Sequence, residues 1–523
     1  MKEPIVTVKQ GKLRGTVVES VLGPSYIAFW GIPFAAPPVG ELRFKDPEPA
    51  DGWIGIRDAT NSSVNLCPQR LDFPTRDYVG DEDCLYLNVY TNSLNGPKPV
   101  MFWVHGGAFI SGTGAISNWG PDYLVRKDVI IVSPNYRLGA FGFLNLQHKD
   151  ASGNMGLKDL ILALKWVNQN IASFGGDPNN ITVFGFSAGA ALAHAIIVSP
   201  QSRGLFHKVI LQSGTITCPW SFETDRKSFR LASLLGNKTT DTEEMIRFLK
   251  QVPAMDIVKA HASILTKDEM RKYHIRCALS IDTASENPVL PVPLEQLVLN
   301  DVNIPMIIGN TSHEFIIFLR DNTKKTFDDL NKHFVDFVKY MATAKNLDPE
   351  ETEELSRIVK DWYFKAQPIF SEDNILDALE FLSDMYFTLH FKVFLENRVK
   401  RTSAPTYSYI YSYVGGQKSQ ADFLVKRFVK GVSHTDEMPY LFNMLCCKTE
   451  DEGVPEKGTK DREMMERLTT MWTNFAKTGN PTPTLEDVVN VTWKPATKDK
   501  LYYLEIGAET RLSVHRPHVL SAL

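Results

Sequence analysis

Ser187 stands in the middle of Gly185-Phe186-Ser187-Ala188-Gly189, between the apolar run NNITVFGF and the small-residue run AGAALAHAII. A strand that enters a helix through a Gly-x-Ser-x-Gly turn throws its serine out on a tight bend, which only flanking glycines accommodate. Ser187 Oγ is therefore expected at the C-terminal end of a sheet, beside a helix N-terminus whose partial positive charge favours an oxyanion. A long chain can hold such a pentapeptide in a loop by chance; the strand before it and the helix after it set this one apart. An exposed serine is inert without a base and a set of donors for the oxyanion. His105-Gly106-Gly107-Ala108-Phe109 closes an earlier apolar run, KPVMFWV. A glycine turn after a strand is often only a turn. Paired with the serine turn downstream, it reads as half of an oxyanion hole. Gly106 permits the bend, and the N–H groups of Gly107, Ala108 and Ala188 converge.

The surrounding stretches say what must hold these turns. DVIIVSPNYR, HKVILQSG, IPMIIGNT and YSYIYSYV are further buried strands, and TVVESV and YIAFWGIPF are strand-like runs near the N-terminus. In GLKDLILALKWVNQNIASFG, Leu160, Ile161, Leu164, Trp166 and Val167 fit one face of a helix that Gly175 stops. Near-continuous apolar strands alternating with helices indicate a parallel sheet covered on both faces. The stretches 226–251, 327–364 and 374–400 are helical and interrupt the strand rhythm, so they are expected as insertions over one end of the sheet. No repeat or linker forces a cut, and residues 1–523 are expected to form a single domain.

Composition removes several classes of function. Lys and Arg total 57 against 61 Asp and Glu, a formal charge of −4, which excludes a strongly basic nucleic-acid binder. Apolar residues at 43% are enough for one large core. No apolar run approaches the ~20 residues of a membrane span. MKEPIVTVKQGKLRG has no signal-peptide core; the chain is expected in the cytoplasm if Met1 is native, and secreted if a leader was removed before it. The six cysteines show no zinc spacing, and neither metal nor organic cofactor is expected. Cys67 and Cys84 could close a loop, whereas the adjacent Cys446 and Cys447 cannot pair without strain. The oligomeric state is not readable.

With these motifs in hand, the chain resembles the type-B carboxylesterase and cholinesterase group of α/β-hydrolases, most closely arthropod-type carboxylesterases. The resemblance runs from GIPFAAPPVGELRF (31–44) to MWTNFAKTGNP (471–481) and includes Glu82-Asp83-Cys84-Leu85-Tyr86-Leu87-Asn88-Val89-Tyr90 and FGGDPNNITVFGFSAGA (174–190). Phe186 departs from the pattern, which usually has Glu there. The resemblance implies an α/β-hydrolase fold, with a mostly parallel central sheet, helices on both faces and helical insertions over an active-site gorge. It also implies ester hydrolysis through an acyl-enzyme. The order in this fold is Ser, acid, His. Glu314, in IPMIIGNTSHEF, matches the acid, although a turn carboxylate is ordinarily just solvated. His434, in Gly431-Val432-Ser433-His434-Thr435-Asp436-Glu437, matches the base. His313 is the distractor, upstream of where a base is expected. Ser213, Arg43 with Glu82, and Arg137 with Asp159 match supporting positions of the fold.

The substrate follows from what is missing. A choline site uses a Trp face for the quaternary ammonium, and CPQRLDFPTRDYVGDEDC (67–84) holds none, with Asp72, Phe73, Asp77 and Tyr78 only partial substitutes. Phe109, Phe186, Trp220, Tyr440 and Phe442 are candidate apolar walls, each equally readable as a core aromatic. The expected function is hydrolysis of small, neutral, apolar carboxylic esters, as a xenobiotic-detoxifying or hormone- or pheromone-ester-degrading enzyme. The alternatives are a slow-turnover sequestration protein and a non-catalytic partner-binding relative; the latter typically lacks one of the three residues present here.

Overall fold

The apolar runs assemble into one sheet of eleven strands in the computed structural model. It describes residues 3–519 apart from 64, 72–74, 224–226, 274, 301, 320–322, 342–346, 366–368, 428 and 450–451. In chain order the strands are β1 (Thr16–Val18), β2 (Tyr26–Pro33), β3 (Tyr86–Thr91), β4 (Lys98–Val104), β5 (Ile130–Pro134), β6 (Gly176–Phe186), β7 (Lys208–Gln212), β8 (Met306–Thr311), β9 (Thr406–Tyr411), β10 (Tyr502–Ile506) and β11 (Thr510–Val514). Their spatial order is β11-β10-β9-β8-β7-β6-β4-β5-β3-β2-β1. The strands from β5 to β10 through β4 and β6 pair in parallel, and the pairings beyond them at both edges are antiparallel.

The parallel strands are buried on both faces, so their sequences are almost continuously apolar. Alternate residues divide between two cores, as the period of two requires. Val100, Phe102, Val104 and Val183 pack on one face, with Leu160, Leu164 and Leu192. Met101, Trp103 and Phe184 pack on the other, with Met471 and Trp472. Helix α1 (Met155–Asn170) covers the first face and runs into a tight turn that ends at Gly175, φ +81°. Helix α2 (Ala188–Val198) is buried along its whole length. A helix apolar all round belongs in a core, and its alanines let it lie close to the strands. Strand β6 starts earlier than NNITVFGF suggests, because Gly176 pairs with Lys98 before a register shift.

The insertions are helical, but broken. Stretch 226–251 forms helices Arg230–Leu234 and Thr242–Gln251. Stretch 327–364 forms Lys324–Lys332, Phe334–Met341 and α3 (Pro349–Phe364). Helix α3 opens with Asp348 and Glu351 in a reciprocal capping box, and Pro349 occupies a first-turn position where its missing N–H costs nothing. Helices α4 (Ile375–Ser383) and α5 (Leu389–Arg401) are joined by one π-helical turn, Asp384–Thr388. Helix α6 (Lys460–Thr478) covers the second face. Cys67 and Cys84 are joined as a disulfide. Arg137 grips Asp159 at 2.7 Å in the interior, and Arg43 is bonded twice to Glu82. Among the described residues no helix is long and apolar enough to cross a membrane.

Candidate active site

Strands β4 and β6 are neighbours, with Val104 opposite Gly185. The chain leaves β4 toward β5 on one side, and β6 lies on the other. The C-terminal edge of such a switch point is where open α/β sheets bind ligands. His105 and Ser187 both emerge there.

Ser187 has φ 58° and ψ −126° and hands the chain directly to α2. Its N–H donates to the Gln212 carbonyl at 2.8 Å, which fixes the strained turn to β7. The flanking glycines are required by contact: a Cβ on Gly185 would lie 2.3 Å from the Gly189 oxygen, and one on Gly189 2.1 Å from the Val104 oxygen. A Cβ on Gly106 would come within 3.0 Å of Ser187 Cβ. The glycine turn after β4 therefore rests on the serine turn.

That glycine turn is held from several sides. Gly107, Ala108 and Phe109 have φ of 122°, 54° and 62°, unusual for two non-glycine residues in succession. The Gly107 carbonyl accepts from the N–H groups of Ile110 and Ser111, and the Phe109 carbonyl from Gly139. Gln69, inside the disulfide loop, pairs with the Gly112 backbone in both directions, at 2.7 and 3.0 Å. His105 stacks on Tyr136 at 4.3 Å, and its Nδ1 lies 2.9 Å from the Gly106 carbonyl. Burial pulls His105 down to about 4, so it is neutral and its Nδ1–H donates to that carbonyl.

Glu314 and His434 meet on the neighbouring edge. Glu314 follows β8 and is fully buried; its Oε2 lies 2.5 Å from His434 Nδ1. Its Oε1 accepts from Ser213 Oγ at 2.6 Å and from the Thr311 N–H at 2.7 Å. Nδ1 is committed to the carboxylate, so proton transfer falls to Nε2. His313 plays a structural part instead. Its N–H donates to the Val432 carbonyl, its Nδ1 pairs with Ser312 Oγ at 2.8 Å, and burial lowers its pKa.

Around the imidazole the surface is aromatic. Phe186, Phe387 and Phe318 stand 4.5, 5.0 and 6.0 Å from the His434 ring. Trp220 bridges Phe387 and Phe109 at 5.6 and 6.3 Å, its indole N–H held by the Tyr386 carbonyl. Phe318 is 38% exposed, so the group opens to solvent. Phe109, Phe186 and Trp220 are thus brought together. Tyr440 and Phe442 are not. Beyond His434 the turn Met438–Tyr440 carries the chain to the sheet face under α6. Tyr440 there bonds to Asp461 at 2.9 Å, and Phe442 packs on Trp103 and Trp119. Both fill core instead of walling this group. The sequence motifs do not mark Phe318 or Phe387: Phe318 ends the short helix begun by Glu314, whose apolar run EFIIF is the one signal for it, and Phe387 sits in the π turn, which no pattern marks.

Behind the serine turn lies a second buried carboxyl. Glu437 Oε1 accepts from Gln212 Nε2 at 3.1 Å and from the Tyr409 hydroxyl at 3.0 Å, and Trp472 donates to Gln212 Oε1. Complete burial pushes Glu437 up to about 8. Asp72 and Phe73 lie outside the described residues. Among the described residues no group of three or more His, Cys, Asp and Glu is arranged to hold a metal ion.

The chain is similar to known proteins along nearly its whole length. The model of the carboxylesterase family matches residues 2–519. Esterase E4 of Myzus persicae is 32% identical over 513 residues, 95% of this chain and 89% of that one. Juvenile hormone esterase of Tribolium castaneum is 32% identical over 505 residues, 92% and 84% of the two chains. The crystal structure of juvenile hormone esterase from Manduca sexta, with OTFP covalently attached, superposes with a TM-score of 0.84 at 28% identity, covering 99% of this chain and 97% of that one.

Proposed function

This chain belongs to the carboxylesterase family and is a serine carboxylesterase, and from that premise we propose that Ser187, Glu314 and His434 are its nucleophile, acid and base. The observation that carries the assignment is the buried Glu314–His434 bond, whose imidazole packs on the ring of Phe186, the residue before Ser187. His434 Nε2 takes the Ser187 proton as Oγ attacks the ester carbonyl, and Glu314 orients the ring and stabilises its cation. The N–H groups of Gly107, Ala108 and Ala188 receive the oxyanion, with Gly106 permitting their turn; losing one such donor costs about 10²–10³ in turnover. His434 then protonates the leaving alcohol, and water repeats the sequence to release the acid.

The substrate in this reading is a neutral, apolar ester. Phe109, Phe186, Trp220, Phe318 and Phe387 favour apolar area removed from water. Relatives named as esterases and juvenile hormone esterases support a hormone-like or xenobiotic ester. The Cys67–Cys84 disulfide supports an oxidising compartment over the cytoplasm. We read residues 1–523 as one hydrolase domain.

A fluorophosphonate probe tests the assignment. One adduct per chain on Ser187 is expected; adducts on Ser213 or Ser433 with Ser187 free overturn it. Glu314→Gln and His434→Ala are each expected to remove most turnover from a folded protein, and near-normal kcat in either reassigns that role. Turnover continuing past the first equivalent of released alcohol separates catalysis from sequestration.

A further inference from the structure

Away from the serine turn, Cys446 and Cys447 direct both sulfurs to one side of the chain, 3.7 Å apart and unoxidised. The backbone that carries them is pinned at each step. The Cys446 N–H donates to the Ser117 carbonyl at 2.9 Å and the Cys447 N–H to the Met444 carbonyl at 3.0 Å. Lys448, the next residue, is anchored through Nζ to Asn443 Oδ1 at 2.7 Å and to the Tyr123 hydroxyl at 3.2 Å. Cys447 is buried and Cys446 half-buried. Cys447 forms part of the wall of a cavity of about 290 Å³, together with Gly416, Gln417, Lys418, Val454 and Asp461. The Cys446 sulfur and burial together push the Cys447 thiol well up, which keeps it protonated.

This geometry suits a bridge better than a disulfide. Neighbouring Cα atoms across a trans peptide are about 3.8 Å apart, below the ~4.4 Å at which unstrained disulfides begin. An atom bound to both sulfurs needs no S–S bond and fits between two thiols that already face each other. We propose that Cys446 and Cys447 form a dithiol site for a soft, thiophilic centre with two adjacent coordination positions, the class that fits being a trivalent organoarsenical. With an arsenoxide R–As=O, each sulfur forms an As–S bond and gives up its proton. The As=O bond breaks, its oxygen leaves as water with both protons, and arsenic stays trivalent. No oxidant or reductant is consumed. Cys218 and Cys277 are buried elsewhere in the fold, the first beside the Thr215 hydroxyl and the second beside the Phe109 carbonyl, so they serve as internal controls.

The test uses the full-length chain and phenylarsine oxide. Intact mass is expected to show one phenylarsenic group per chain. Dimercaptopropanol should remove it, and an excess of a monothiol should not. Cys446→Ser and Cys447→Ser should each weaken capture at least about tenfold, since one thiol loses the advantage of the second, while ester hydrolysis in both variants verifies folding. Should either variant fail to fold, alkylation mapping of the wild-type chain decides: Cys446 and Cys447 must be protected together by the arsenical. Capture undiminished in both variants, protection at Cys218 or Cys277 instead, or release by the monothiol overturns the proposal.

Discussion

The side-chain amide of Gln212 donates to the buried carboxyl of Glu437 at 3.1 Å, directly behind the backbone carbonyl that holds the Ser187 N–H. One residue therefore ties the end of β7, the serine turn and the loop of His434 to a carboxyl that has no cationic partner among the described residues. Burial raises Glu437 from the ordinary 4.5 to about 8, and the nearby Glu314 carboxylate adds to the rise.

The consequence for stability has a definite sign. A carboxyl whose folded pKa is raised favours the fold below the unfolded value and loses that contribution as pH climbs through the folded one. For Glu437 the window is about pH 4.5 to 8. Glu437→Gln keeps the shape and an acceptor for Tyr409 without the titration. Its stability relative to wild type is expected to rise across that window by on the order of a few kcal/mol. Urea unfolding at pH 5 and at pH 8 measures it; an unchanged difference between the two proteins would show Glu437 ionised in the fold throughout.

Ser213 acts through Glu314. Its hydroxyl donates to Oε1 at 2.6 Å, opposite the oxygen that meets His434. Removing a hydrogen bond to a charged group costs about 1.5–3 kcal/mol. Ser213→Ala is therefore expected to lower kcat by roughly 10- to 100-fold with KM little changed, and the phosphonate adduct should remain on Ser187. A loss confined to KM would place Ser213 against substrate instead.

Gln69 links the disulfide loop to the turn proposed as the oxyanion hole. Its amide pairs both ways with Gly112 and also donates to the Cys67 carbonyl at 3.0 Å. Gln69→Ala is expected to reduce kcat about tenfold by loosening the left-handed residues Ala108 and Phe109. The double variant Cys67→Ser, Cys84→Ser should instead lower stability by ~3 kcal/mol, the loop-closure contribution for a separation of 17 residues. Comparing kcat with urea midpoints for the two variants separates bracing from stability.

The parts of this architecture legible in sequence are those set by local physics. Strands buried on both faces must be apolar through their middle, as Val209, Ile210 and Leu211 are in Lys208–Gln212, and the turn at Ser187 needs glycines where a Cβ would strike backbone. Aromatic residues carry no such address. Phe442 and Phe387 are equally apolar, yet one packs on Trp103 within the core and the other on the His434 ring. Which sheet face a residue reaches depends on how the chain leaves the His434 loop, and the π turn that presents Phe387 arises from packing between helical insertions. Neither is a local property.

The same aromatic shell sets the last expectation, a preference for neutral over choline esters. A cation over a desolvated aromatic face gains ~2 kcal/mol, roughly thirtyfold in specificity, and in cholinesterases a Trp in the first disulfide loop supplies that face; loop 67–84 has none. The rings that stand directly around His434 are phenylalanines, weaker cation seats than Trp, and Trp220 is buried behind them against Phe387 and Phe109. Phe186 also occupies the position beside the nucleophile where related chains usually carry an acid, so no carboxylate there offsets the cost of stripping water from an ammonium. A neutral butyl or naphthyl ester pays no such desolvation, and its affinity grows with the apolar area it buries against Phe318, Phe387 and Trp220. The kcat/KM for a neutral butyrate is expected to exceed that for butyrylcholine by at least about thirtyfold. Phe387→Ala should cut the neutral substrate's kcat/KM by about tenfold or more, while leaving butyrylcholine less affected, which narrows the ratio. Equal efficiency toward the two esters in the wild type would mean that Phe318 and Phe387 do seat the cation, and the preference for neutral esters would fall.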